Sequence, residues 1–338
     1  MCLRTTGQGA AAGFSGLAPR GATRRKKVDA RVWCTRSAMH QHGARKDAFC
    51  WHALCCIESM PDCSHTQPTC AAPWQASLRL RFARDGGTTR LVERHHRGPL
   101  RVQKPLYPEG PAICHAIMLH PPGGVVGGDQ LEIDIAAGAG AHAFLTTPGA
   151  AKWYRANGKV SIQRVGLRVD AGAACEWMPQ ESIFYDAARV DLHHDVELAA
   201  GARYIGSEIL CFGRRAAHER FTSGAVRQHT RIRLAGKLVW WEQGTITPGA
   251  TMDGLFGLGG RSVCATLVAV GPPVSTALLA TLRALDPALG ITQLKSVLVA
   301  RYLCDDSETA RHALVRVWQH LRPHLLGCAA PLPRIWQT

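Results

Sequence analysis

Between residues 98 and 201 the chain is punctuated by turn residues about every 10 to 15 positions, and no helical period spans any of the gaps. A chain interrupted that often must build its middle from strands. Residues 143–147 make an apolar run closed by Thr147, Pro148 and Gly149, and residues 160–169 alternate loosely until Asp170, Ala171 and Gly172. Residues 176–185 and 190–198 read as further strands, and Gly201 opens another run. No internal repeat or low-complexity tract stands out.

Residues 98–131 set Glu109, His115, His120 and Asp129 among short apolar runs and tight turns, the pattern of strands that present chosen polar groups. The pairs Gly123-Gly124 and Gly127-Gly128 resemble a phosphate cradle only superficially. Such a cradle opens a helix, whereas Leu131, Ile133 and Ile135 alternate with Glu132 and Asp134 as a half-buried strand does.

The C-terminal third changes period. Leu278, Leu279, Leu282 and Leu285 share one helical face. Asp305, with Glu308 three residues on, reads as the cap of a second helix. There Ala310, Ala313, Leu314, Val317, Trp318 and Leu321 keep helical spacing until Pro323 and Gly327 stop it. Residues 261–270 and 296–304 read as buried strands. The expected fold class is mainly β: a β-helix-like, multi-stranded body with a small C-terminal α+β portion carrying about two helices. The expected organisation is an extra leader at 1–70, a β body at 71–271 and a helical α+β cap at 272–338 packed on that body.

The formal charge is +15, but basic residues past residue 70 are scattered and alternate with apolar ones, as at Arg79, Arg81, Arg231 and Arg233. That is the pattern of solvated strand faces, and no basic helix or aromatic–basic interleaving points to nucleic acid. No run of 18 apolar residues suggests a membrane span.

The first 70 residues hold seven of the thirteen cysteines and keep no period of 2 or 3.6. They read as a disordered leader or as sequence upstream of the true start. Cys50, His52, Cys55 and Cys56 lack the paired spacing of a zinc site, and no apolar core suits a signal peptide. Thirteen cysteines without an export signal argue for free thiols in a reducing, cytoplasmic setting. The six from Cys114 onward sit mostly in apolar runs.

Six blocks, in order, carry a resemblance to a known family: GPLRVQKPLYPEGP from Gly98, LHPPGGVVGGDQL from Leu119, TTPGAAKWYR from Thr146, EWMPQESIFYD from Glu176, GSEILCFGRRAAHERFTSG from Gly206 and LRPHLLGCAAPLPRIWQT from Leu321. From about Pro73 to the C-terminus the chain resembles the urease accessory proteins of the D family, also called H. The resemblance implies a cytoplasmic maturation scaffold without catalysis of its own. Its implied partners are apo-urease subunits, the helical F-type accessory protein and the nickel-carrying G-type GTPase. Nickel would pass through transiently, with no cofactor held permanently, and neither nucleic acid nor membrane is an expected partner.

Nickel accepts imidazole, carboxylate and water, and a delivery path must release it again, which favours sparse carboxylates over a thiolate cage. The candidates are Asp129 after the glycine turn, Glu181 (with Glu176) flanking Trp177-Met178-Pro179, Glu208 before an apolar run and Glu242 after Val239-Trp240-Trp241. Glu208 and Glu242 stand out because each interrupts apolar sequence. The competing reading pairs them with Arg214, Arg215 or Arg220, and for Asp129 it is hydrogen bonding to the turn backbone. His193 and His194 point to opposite faces of a strand, as do His115 and His120 if theirs is regular. The alternative function is a metal-dependent enzyme of unknown reaction, although no G-x-S-x-G or H-E-x-x-H motif is present.

Overall fold

The computed structural model describes residues 73–337. The leader and its Cys and His candidates lie outside the described residues. The chain enters as a hairpin, β1 (Gln75–Asp85) and β2 (Thr88–Arg97), followed by the short β3 (Arg101–Val102) and by β4 (Ile113–Leu119). Three coils follow, each with one strand in either of two facing sheets. They are β5 (Gln130–Ala137) with β6 (His142–Thr146) and the short β7 (Ala151–Trp153); β8 (Ser161–Val169) with β9 (Ala174–Met178) and β10 (Ser182–Phe184); and β11 (Arg189–Leu198) with β12 (Arg203–Phe212). A second hairpin, β13 (Ala225–Leu234) and β14 (Lys237–Ile246), leads through α1 (Ala250–Asp253) to β15 (Val263–Val270), α2 (Thr276–Arg283), β16 (Leu289–Leu294), β17 (Val297–Cys304) and α3 (Ser307–Leu326).

The first sheet runs β14-β13-β11-β8-β5-β1-β2, and the second runs β16-β17-β15-β12-β9-β6-β4-β3, with β10 and β7 beside β12. Coil-to-coil pairs are parallel in both sheets, as at β5–β8 and β6–β9. The architecture is therefore mainly β, a stacked-coil solenoid with three α-helices among the described residues, α3 toward the C-terminal end. Past Gly271 the second sheet continues without a break, because β15 pairs with β17.

The coil turns repeat. Gly140, Gly172 and Gly201 each stand in an Ala-Gly-Ala triplet with φ of 69°, 69° and 78°. Each turn closes with one backbone bond, Ala141 N–H to Gly138, Ala173 N–H to Asp170 and Ala202 N–H to Ala199. The left-handed region favours glycine at that third position. The sequence thus carries a repeat too short and too degenerate to stand out, one marker per coil.

Burial explains the two sheets' different sequences. The first alternates, as in β5 with Leu131, Ile133 and Ile135 inside, because its other face meets water. The second is covered on both faces, by the first sheet and by α2 and α3, so β4, β12 and β17 are near-continuous apolar runs. The exposed face of the first sheet carries cross-strand ion pairs, among them Arg79–Asp134, Arg231–Asp195 and Arg233–Glu197. The alternating arginines are thus solvated and paired.

Three local expectations change. Residues 176–185 split into β9 and β10 at Pro179, which has no N–H to give a ladder. The cap of α3 is Asp306, whose carboxylate accepts from Thr309 N–H at 2.8 Å, while Asp305 binds Arg261 and the Ser262 N–H. Pro323 lies inside α3, where its missing donor faces solvent, and Gly327 at φ 70° ends the helix.

Candidate functional site

Inward-facing residues of the first sheet form rows across the strands. One row reads Ile133, Val165, His194, Thr230 and Glu242, turning from apolar to polar toward β14. The next reads Leu131, Gln163, Leu192 and Gln228. In the second sheet Glu208, Thr266 and Arg301 are aligned across β12, β15 and β17. These polar rows face one another between the sheets.

Ile133, Val165, His194, Thr230, Gln228 and Glu208 from these rows line a cavity of about 450 Å³. One end is a lip of exposed turn residues, including Pro121, Gly123, Pro148 and Gly149, with the half-buried His120 beside them; the lining also includes Gln163, Trp177, Gln180, His194, Gln228 and Glu208. A second, smaller cavity of about 40 Å³ is lined by Glu208, Tyr204, Ser207, Thr266 and Glu242. Glu208 borders both spaces.

Gln228 donates its amide to Glu208. Burial, and then the charge of Glu242, push the Glu208 carboxyl up to about 7. Glu242 accepts from Arg301 at 2.6 Å, and Arg301 also reaches the Thr266 hydroxyl at 3.2 Å. His194 lies 3.0 Å from the Tyr204 hydroxyl and edge-on to Trp177, and burial lowers its imidazole to about 4, so it is neutral.

The structure brings Glu208 and Glu242 together and leaves the other two candidates elsewhere. Of the three arginines expected beside them, Arg214 pairs with Glu219 and Arg215 with Asp305, and it is Arg301 that pairs with Glu242. Asp129 is buried with one oxygen accepting from Trp74 N–H and the other from Val126 N–H, a clamp on the turn backbone. Glu181 is half-buried just before β10, and its charge adds to burial in raising the Cys211 thiol. Among the described residues no three His, Cys, Asp or Glu side chains gather as a closed metal site.

A second polar cluster lies on the other face of the second sheet. Arg322 of α3 reaches Glu109 at 2.5 and 2.9 Å and Glu176 at 3.0 Å, and Trp318 donates to Glu176 at 2.7 Å. His115 and His142 complete it, 2.7 Å from Glu109 and Glu176 respectively. Burial alone would raise these carboxyls. The His115 and Arg322 bonds instead hold Glu109 down to about 2, and His142, Arg322 and Trp318 lower Glu176. With every member bonded, the cluster fastens α3 to the sheet. Glu176 thus belongs to this cluster and faces away from the cavity.

Sequence reasoning set His194 aside with its neighbour His193 and missed Gln228 and Arg301, since the role of all three depends on register between distant strands. It also missed Arg322, although a charge four residues after Trp318 in an apolar stripe was a readable signal.

Residues 75–337 match the family model of the UreD urease accessory protein. The chain is 58% identical to the urease accessory protein UreD of Janthinobacterium sp. (strain Marseille) over 271 residues, 78% of this chain and 92% of that protein. It is 50% identical to the protein of that name from Nitrosospira multiformis over 275 residues, 79% of this chain and 99% of the relative. The same identity extends over 269 residues of the one from Azoarcus sp. (strain BH72), 78% of this chain and 94% of the relative. With a family model spanning the whole solenoid and its helical end, and relatives aligned over nearly their full length, the chain belongs to the UreD family of urease accessory proteins.

Proposed function

We propose that this chain serves urease maturation as a non-catalytic scaffold whose inter-sheet cavity passes Ni²⁺, as cargo, toward apo-urease. The observation that carries the reading is the meeting of polar rows from two sheets, with Glu208 bordering both spaces and Glu242 lining the smaller one, inside an otherwise apolar core. Packing alone favours apolar side chains there, since a buried carboxylate is costly. Nickel accepts carboxylate oxygen, imidazole nitrogen and water, and sparse ligands let it leave again. A carboxyl that titrates near 7 can hold the ion as an anion and revert to the neutral acid after it has gone.

In this reading the scaffold also binds apo-urease, the helical F-type accessory protein and the nickel-carrying G-type GTPase in the cytoplasm. Leu255 and Phe256 between α1 and β15, with Leu238 and Trp241 on the edge strand β14, are exposed large apolar side chains of the kind that partner surfaces use. The free cysteines of the described residues, such as Cys114 and Cys175, suit a reducing compartment. No helix among the described residues is long and apolar enough to cross a membrane.

The test is the nickel content of urease matured by equal amounts of intact complex carrying Glu208→Ala or Glu242→Ala. Nickel per active site falls in both while the complex assembles. Full nickel loading in both variants removes the transport role.

A further inference from the structure

Three buried polar side-chain atoms among the described residues meet no hydrogen-bond partner in the chain: His120 Nε2, Trp153 Nε1 and Trp240 Nε1. An indole nitrogen carries a hydrogen and only donates, so neither tryptophan can bind a cation there. An imidazole with its proton on Nδ1 offers a lone pair at Nε2. A buried acceptor left unmet destabilises a fold, and such a group calls for an explanation in function.

His120 lines the cavity beside the exposed lip residues Pro121 and Gly123. The backbone holds it there. It follows the end of β4 and opens a turn in which Gly123 N–H donates to the His120 carbonyl at 3.2 Å, and Pro121 and Pro122 stiffen that turn. Gly124 has no side chain, and the Tyr154 ring occupies the space a Cβ would need, 2.3 Å away, so the lip packs tightly. Burial lowers the His120 imidazole, against the charge of Asp129, which favours the neutral, ligating form.

We propose that His120 Nε2 is a nickel ligand at the mouth of the inter-sheet cavity and selects Ni²⁺ over hard cations before the ion meets Glu208 and Glu242. The proposal rests on the reading of the cavity as a nickel path. Carboxylates and water suit Mg²⁺ and Ca²⁺ as well as Ni²⁺, so Glu208 and Glu242 discriminate poorly by themselves. Imidazole nitrogen suits Ni²⁺ and not the hard cations. A single imidazole leaves the remaining positions to water, which lets the ion move on.

The experiment uses the full chain in complex with apo-urease and the other accessory proteins, as wild type, His120→Ala, His120→Asn and Glu208→Gln. Urease nickel content is measured at limiting Ni²⁺, at excess Ni²⁺ and with added Mg²⁺. Both His120 variants assemble, lower nickel per active site about tenfold at limiting Ni²⁺, by analogy with the loss on removing a metal site's supporting groups, lose more with Mg²⁺ present and recover at excess Ni²⁺. X-ray absorption at the nickel edge, on complex loaded with less than one equivalent of Ni²⁺, shows a weaker imidazole signature in both.

Wild-type loading by both His120 variants at limiting Ni²⁺ overturns the proposal. Failure of both to assemble also overturns it, because His120 is then a packing residue. Impaired Glu208→Gln beside unimpaired His120 variants removes His120 alone, whereas full loading in all three removes the path and His120's place in it.

Discussion

Glu208 is a carboxyl set in an apolar run, and its environment makes it a pH-dependent liability as well as a candidate ligand. Burial first and Glu242 second raise it from an ordinary 4.5 to about 7. Between those values the unfolded chain has released a proton that the folded chain keeps, so stability falls as pH rises: the contribution is whole below 4.5 and is lost through about 7. Glu208→Gln removes this dependence. It is expected to be more stable than wild type at pH 8 by at most about 3 kcal/mol, a gain that vanishes toward pH 4. Urea unfolding across that pH range checks it, and a wild-type curve as flat as the variant's refutes it. Arg322 is the opposite case, a buried charge fully bonded to Glu109 and Glu176. Arg322→Ala leaves both carboxylates buried without their cation and is expected to cost about 3–5 kcal/mol. Thermal unfolding unchanged by that substitution would show that the cluster adds nothing to the attachment of α3.

Each coil of the solenoid depends on a turn whose third residue is left-handed, and that requirement is stronger than the apolar content of the strands it joins. Gly172 has φ 69° and no atom within 4 Å of the position a Cβ would take, so a substitution there meets backbone strain and no clash. Gly172→Val is expected to destabilise by about 1–2 kcal/mol from strain alone, with the fold retained. A melting temperature equal to wild type would mean the turn has relaxed into another form. Strands and helices were legible as elements because alternation and helical spacing are local. The exceptions were local chemistry read one residue off or one step too strictly: Asp306 caps α3 in place of Asp305, and Pro323 is tolerated where its missing donor faces water.

At the scale of the molecule, two cores lie on either side of the second sheet, one against the first sheet and one against α2 and α3. Cys114 and Cys175 are sealed in the first and Cys211 in the second, whereas Cys328 is half-buried near the end of α3. Thiol labelling of the native protein is therefore expected to modify Cys328 well before Cys114 and Cys175, with all of them reacting together in denaturant. Equal native rates would contradict the two-core packing. By itself the sequence determined the mainly β character, the strands between turn signals, the apolar stripe of α3 and the family resemblance, since these depend on neighbours a few residues apart. It also singled out Glu208 and Glu242, because a carboxylate in an apolar run is visible without knowing what surrounds it. Only the tertiary structure decided that these two share a cavity while Asp129 clamps a turn, that His194 and Gln228 join them, and that Arg322 finds Glu109 and Glu176. Those outcomes depend on the register of parallel strands from successive coils, a non-local pairing in which a shift of one residue would send each inward side chain to the opposite face.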